Sequence, residues 1–239
     1  MEKPNNPFSK YNYFKRILDI FFILLSAPVW APIFIVCTIW IKLVSPGSIF
    51  FLQERIGYRQ KPFLMYKFRT MHEGTCTAVH EEHVSKLIKS GEKMKKLDDS
   101  DKRVIFGGKI VRALGIDELP QFINVIRGEM SIVGPRPCTP KEFEEYPKNF
   151  KKRLNGLPGI TGKWQVNGKN MTTFQRMVAL DILYLRKASL SLDLFIILRT
   201  IPSIISQLKH DKQKKAAKRR FRLGTSAVAS KTDFKLRTF

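Results

Sequence analysis

The stretch IFFILLSAPVWAPIFIVCTIWI, from Ile20 to Ile41, contains no charged residue and is dominated by Leu, Ile, Phe, Val and Trp. At a rise of roughly 1.5 Å per helical residue it is long enough to cross a bilayer core of roughly 30 Å. A cleaved secretory signal fits less well, because the run is long and its end lacks a small-residue cleavage site. Three features set it apart from a plain span. Pro28 and Pro32 fall in its middle, where each removes a backbone donor and crowds the preceding turn, so a kink or break is predicted. Basic residues flank both ends, Lys10, Lys15 and Arg16 before it and Lys42, Arg55, Arg59 and Lys61 after it, so the positive-inside rule marks neither end as external. Asp19 sits near the start, where a carboxylate is tolerated at the interface or in a pair, Arg16 and Lys15 being its nearest partners. The residues by themselves leave two readings open: a single span kinked at proline, and a helix–break–helix that re-emerges on the side it entered.

Working outward, residues 1–14 are polar with Pro4 and Pro7 and read as a loose arm. Beyond the apolar run, Ser45-Pro46-Gly47 turns the chain into Ile49–Leu52; Gly57 then turns it back into Phe63–Arg69, which predicts a short β-hairpin. Residues 72–103 are charged and lysine-rich, and are expected to form a mobile helical insertion. Leu119, Phe122, Ile123, Ile126 and Met130 keep helical spacing, giving an amphipathic helix that opens directly after Asp117-Glu118; a second helix is expected from Phe174 to about Leu185. The run from Leu190 to Leu208 has Asp193 and Arg199 as its only charges, and reads equally as a core helix or a membrane-surface helix.

A chain of 239 residues holds one catalytic unit with attachments. Its 43 Lys and Arg against 20 Asp and Glu leave a formal charge of +23, which calls for an anionic partner: nucleic acid, anionic lipid or a phosphorylated substrate. Nucleic acid is disfavoured, because binders of that kind interleave stacking aromatics with their cations, whereas most Phe here lie in apolar runs. The segment Lys209–Arg222 carries eight Lys or Arg against a single Asp and suits anionic headgroups, although it reads also as a solvated tail. Cys37, Cys76 and Cys138 are too few for a disulfide framework or zinc cluster, which places the working part in a reducing cytosol.

The chemistry gathers between Arg112 and Gly162. Asp117 and Glu118 are adjacent acids at a predicted helix start, with Pro120 where the missing N–H costs nothing. Such a start concentrates positive potential and receives anions, although acids there are often only caps. Their neighbours give them weight. Arg112 precedes them, and Gly134-Pro135-Arg136-Pro137 follows, with a stiffened backbone around a guanidinium that can hold phosphate bidentately. Pro158-Gly159-Ile160-Thr161-Gly162 offers a glycine-rich turn whose amides, at Gly159 and Gly162, could meet a phosphate or sugar. Its ending is not that of a nucleotide-hydrolase phosphate loop. Lys67 and Arg69 could add charge to the same pocket. His80-Glu81-Glu82-His83 lacks the spacing of a zinc-protease helix, and Asp98-Asp99-Ser100-Asp101 lacks the preceding strand of a metal–nucleotide site, so neither is taken as a centre.

Together these segments resemble the monotopic polyprenyl-phosphate phosphoglycosyl transferases, the bacterial sugar transferase family. The matching text is Lys15-Arg16-Ile17-Leu18-Asp19, Tyr66-Lys67-Phe68-Arg69-Thr70-Met71 and Asp117-Glu118-Leu119-Pro120-Gln121. It continues through Gly128-Glu129-Met130-Ser131-Ile132-Val133-Gly134-Pro135-Arg136-Pro137, Pro158–Gly162, Trp164–Gly168 and Leu180-Asp181, in unbroken order over roughly residues 15–208.

The resemblance implies an α/β, mostly helical fold: a small cytosolic catalytic domain (45–208) with a short β-hairpin, preceded by a re-entrant membrane helix (15–44) broken at proline, Pro32 by alignment. A flexible arm (1–14) and a basic tail (209–239) complete the expected organisation. It implies that Asp117 is the nucleophile, that Glu118 helps to hold Mg2+, and that Arg112 and Arg136 contact phosphate. The expected partners are a UDP-sugar donor, a polyprenyl (undecaprenyl) phosphate acceptor and anionic lipids, at the cytoplasmic face of a bacterial inner membrane, with a homodimer left open. The rival enzyme reading is a glycosyltransferase that releases UDP. Where many members carry Ser-Pro at the break, this chain has Ala31-Pro32.

Overall fold

The computed structural model describes residues 10–74, 78–93, 103–168, 172–210 and 213. The chain divides into two units, Met1–Thr200 and Ile201–Phe239. The basic tail, apart from Lys209, His210 and Gln213, and the Asp98–Asp101 cluster fall outside the described residues.

The apolar run forms one helix, α1 (Lys10–Val44), with Pro28 and Pro32 inside it. It begins earlier than expected: Tyr11 belongs to it, and its hydroxyl donates to Asp193 Oδ2 at 2.9 Å. The predicted break at the prolines is therefore not an interruption of the helix. The reason lies in packing. Lys15, Asp19, Ile23, Trp30, Phe34, Cys37 and Ile41 recur at steps of three, four or seven residues and face the rest of the chain on both sides of the prolines. Trp30 packs edge-on against Phe122, and Phe34 lies against Phe68. In the turn before Pro28, side chains bond backbone carbonyls: Ser26 Oγ donates to Phe22 O at 2.6 Å, and Trp30 Nε1 to Ile23 O at 2.9 Å. Asp19 does not pair with Arg16, whose guanidinium instead donates to the carbonyls of Val125 and Ile126. The opposite face of α1 is apolar and open, Leu24, Val29, Val36 and Leu43 being well exposed and Leu43 80% so.

After α1 the hairpin forms as expected. Strands β1 (Phe50–Ile56) and β2 (Pro62–Phe68) pair antiparallel, with Phe51 opposite Lys67 and Arg55 opposite Phe63. Directly opposed residues share a face, so Arg55 and Lys67 lie on the same side of the hairpin. The expected mobile insertion is instead a packed helix where it is described: α2 (Ala78–Ser90) buries Val84, Leu87 and Ile88. Three-four spacing puts those apolar residues on one side, which the high lysine content had masked. His80–His83 lies in α2, with the side chains of His80, Glu81 and His83 outside the described residues.

The remaining elements surround a small parallel pair. They are α3 (Gly108–Leu114), α4 (Gln121–Arg127), β3 (Ser131–Val133), α5 (Pro140–Glu144), β4 (Gly159–Thr161), α6 (Lys163–Val166) and α7 (Phe174–Lys187). β3 and β4 pair in parallel. Thr139 caps α5, accepting from Glu142 N at 3.1 Å ahead of Pro140, and Thr173 caps α7, accepting from Arg176 N at 3.2 Å. The largest core joins Trp164, Phe174, Met177 and Val178 to Leu154, Tyr146 and Val84, each such large apolar side chain contributing about 1.5–3 kcal/mol by leaving water.

The last described helix is α8 (Leu190–His210). Asp193 and Ile196 are buried, while Leu194, Phe195 and Leu198 are exposed. Among the described residues α1 and α8 are each long and apolar enough to cross a membrane.

Candidate active site

Helix α3 ends at Gly115, whose φ of 73° is the left-handed conformation glycine adopts without strain, and whose N–H closes on the carbonyls of Val111 and Arg112. The turn that follows, a 3-10 helix over Ile116–Glu118, carries both acids. They therefore precede α4 by a short turn rather than opening it, because Pro120 occupies the position immediately before that helix. The turn faces β2: Lys67 Nζ stands 3.9 Å from Glu118 Oε1, with side chains 23% and 33% exposed. Burial pushes the Lys67 ammonium below its ordinary pKa; Glu118 and Asp117 act against that shift, while Arg55 and Arg136 add to it. Lys67 thus feels both acids and both guanidiniums, the acids favouring its charge and the guanidiniums opposing it.

Arg136 lies in the loop between β3 and α5, and its backbone is clamped. Its N–H donates to Asp181 Oδ2 at 3.3 Å, and its carbonyl accepts from Arg153 Nη2 at 2.8 Å. Arg153 and Asp181 form an ion pair, both side chains fully buried. The Arg136 side chain reaches Glu142 at 3.4 Å. Burial alone would raise the Glu142 carboxyl, but Arg136, Arg55 and Arg153 hold it below its usual range, so it is ionised. The same loop is joined to the hairpin by Ile56 N–H, which donates to Cys138 O at 2.8 Å. That bridge brings Arg55 beside Arg136.

The expected residues therefore separate into two sets. Lys67 stands beside Glu118, and Asp117 and Arg136 both act on the Lys67 charge. Arg112 sits in the last turn of α3 with an exposed side chain, one turn ahead of the acids. Arg69 is turned elsewhere: β2 ends at Phe68, the strand alternation ends with it, and the buried Arg69 guanidinium bonds Ser45 O at 2.8 Å and Glu73 Oε1 at 2.7 Å. Gly159 and Gly162 are not an open phosphate-binding turn. Gly159 N–H donates to Pro135 O at 2.9 Å, and a Cβ on Gly159 or Gly162 would lie 2.0 Å or 2.2 Å from backbone atoms of Gly134. These glycines allow two strands to touch. Arg55, Glu142 and Arg153 were missed as site residues. Face-sharing between Arg55 and Lys67 could have revealed the first, but only with the hairpin register known.

Among the described residues no group of three or more His, Cys, Asp or Glu forms a metal cage. Asp117 and Glu118 alone could hold a hard divalent cation that completes its shell from substrate phosphates and water, a mode that suits magnesium.

Residues 10–207 match the bacterial sugar transferase family, and the chain belongs to it. It is a transferase. The exopolysaccharide production protein ExoY of Sinorhizobium fredii is 38% identical over 80% of this chain and 84% of its own length. The UDP-glucose:undecaprenyl-phosphate glucose-1-phosphate transferase of Caulobacter vibrioides is 36% identical over 80% of this chain and 70% of its own. The UDP-N-acetylgalactosamine-undecaprenyl-phosphate N-acetylgalactosaminephosphotransferase of Aeromonas hydrophila is 34% identical, over 82% of this chain but 44% of its own length.

Proposed function

We propose that the chain transfers a sugar 1-phosphate from a uridine-diphosphate sugar to polyprenyl phosphate, forming a polyprenyl-diphosphate sugar and uridine monophosphate through a covalent intermediate on Asp117. The observation that carries this reading is the Asp117-Glu118 turn set against Lys67, with Arg136 and Arg55 in the same field. The activities for which the Caulobacter and Aeromonas relatives are named support the substrate classes.

Asp117 attacks the sugar-bearing phosphorus, the bond to the bridging oxygen breaks, and that oxygen leaves on uridine monophosphate. A phosphate oxygen of the carrier lipid then attacks the same phosphorus, and the Asp117 carboxylate is regenerated. Splitting one displacement into two lowers each barrier. Lys67 and Arg136 bind the donor phosphates and offset the negative charge that shifts during transfer. Magnesium held by Glu118 together with substrate phosphates would supply further neutralisation of that charge.

The acceptor is a lipid, and α1 suits an enzyme that meets it from one side. Asp19, near one end, is bonded to Ser131 and Ile132, and Ile41, near the other, packs with Phe68 and Ile105. Both ends are thus tied to the same unit, which supports entry and exit on the cytoplasmic side with the open apolar face in one leaflet. The basic tail adds attraction to anionic headgroups.

The test is a single-turnover reaction of purified enzyme with donor and magnesium but no carrier lipid. Release of one uridine monophosphate per site with retention of the sugar phosphate on protein is expected. Asp117→Asn abolishes both, while Glu118→Gln slows turnover and is partly rescued by extra magnesium. A phosphosugar adduct that persists in Asp117→Asn, kinetics that demand both substrates bound together, or release of UDP would overturn the reading.

A further inference from the structure

Arg55 is a buried arginine with donors to spare. Its side chain is 5% exposed. Nη2 donates to Gln53 Oε1 at 2.6 Å, but Nε and Nη1 have no hydrogen-bond partner. Its ion-pair partner, Glu142 Oε1, is 4.0 Å from Nη1, beyond hydrogen-bond reach, and that carboxylate already serves Arg136 at 3.4 Å and the Tyr146 hydroxyl at 3.3 Å. A guanidinium presents five N–H groups, and leaving them unmet in a buried place costs stability. Burial first, and the facing Arg136 charge next, lower its pKa to about 10, which still leaves it protonated at neutral pH. Two guanidiniums thus share one distant carboxylate, on the hairpin face that also carries Lys67, the lysine that touches the catalytic turn.

We propose that Arg55 is the anchor of a phosphate subsite that holds the leaving phosphate of the donor. Resting on the reading above, it deepens it: Asp117 faces the sugar-bearing phosphorus, Lys67 lies between, and Arg55 with Arg136 receives the phosphate that departs with the nucleoside. Glu142 is the resting counter-ion, which keeps the two guanidiniums apart and oriented until a better-matched anion arrives. With Nε and Nη1 unmet, the guanidinium has donors left for phosphate oxygens on two of its edges, where the compact lysine ammonium offers a single point charge.

The experiment titrates uridine monophosphate, adenosine monophosphate, uridine and inorganic diphosphate into the full chain in nanodiscs, comparing wild type with Arg55→Met and Arg55→Lys. Losing the charge-assisted contact should weaken uridine monophosphate and diphosphate by about tenfold or more in Arg55→Met. Arg55→Lys should recover part of that loss, and uridine should be unaffected. Thermal melting of each variant separates loss of fold from loss of affinity, with Arg55→Lys as the variant that keeps the buried charge. Uridine monophosphate bound equally well by the folded Arg55 variants, or an equal loss for uridine, overturns the subsite while leaving the donor reading intact. Diphosphate binding that depends on Arg55, without any preference for uridine nucleotides over others, retains the subsite and removes the uridine donor instead.

Discussion

Lys15 Nζ lies 2.8 Å from Asp193 Oδ2, and both side chains are buried. The contact joins the first turns of α1 to α8, and Asp193 Oδ1 also accepts from the Tyr184 hydroxyl at 2.6 Å. Removing one partner of a buried pair leaves an uncompensated charge. Lys15→Met or Asp193→Leu should therefore each lower stability by about 3 kcal/mol or more, and the double variant by less than the sum. A double-mutant cycle of melting in detergent measures this; additive losses would contradict it.

The Asp19 carboxylate is a second tie from α1, accepting from the Ser131 hydroxyl and the Ile132 N–H at 3.0 Å each. With both ends of α1 held by one unit, cysteines placed at Ser9 and Ser48, in a chain with Cys37, Cys76 and Cys138 replaced, should react only with a cytoplasmic-side reagent in intact cells. Labelling of either from the outside would establish a span.

Gly159 separates a packing role from a ligand role. A Cβ there would sit 2.0 Å from Gly134 N and 2.4 Å from Thr161 O. Gly159→Ala should thus cost about 1–3 kcal/mol of stability through overpacking, seen as a lower melting temperature without donor present. An unchanged melting temperature with weakened donor binding would restore the phosphate-turn reading.

Lys67 sets a pH dependence. Burial and the neighbouring arginines lower its pKa from 10.5, so as pH rises the ammonium loses its proton sooner than an ordinary lysine. Activity that needs the charge is present below that folded pKa and declines as pH climbs through it. The alkaline limb of kcat/KM should lie below 10.5 and move upward in Lys67→Arg, whose guanidinium stays charged. A limb that does not move assigns it to another group.

Much of this protein was legible in its residues. The apolar run, the hairpin, the α7 helix and the acid pair all follow from local signals: hydropathy, turn residues, periodicity, and acids beside a proline at a helix entry. Lys67, named from the sequence as a cation of the same pocket, lies beside Glu118. The readings that failed were those in which tertiary contacts override local preference. α1 runs on through two prolines because one stripe of its side chains is packed along its whole length. The described helix of the lysine-rich insertion packs through Val84 and Ile88, and Arg69 turns to Ser45 once its strand ends.

The order of motifs, through its resemblance to the family, identified a transferase and pointed to Asp117 and Glu118 as its candidate centre, because those signals reside in neighbouring residues. Tertiary structure alone decided which distant cations join them. Arg55 meets Arg136 because hairpin register and the Ile56–Cys138 bridge bring together positions 81 residues apart, and Arg153 reaches Asp181 across the core to clamp the Arg136 backbone. Pairing register and burial depend on the whole chain closing on itself, and no local stretch encodes them.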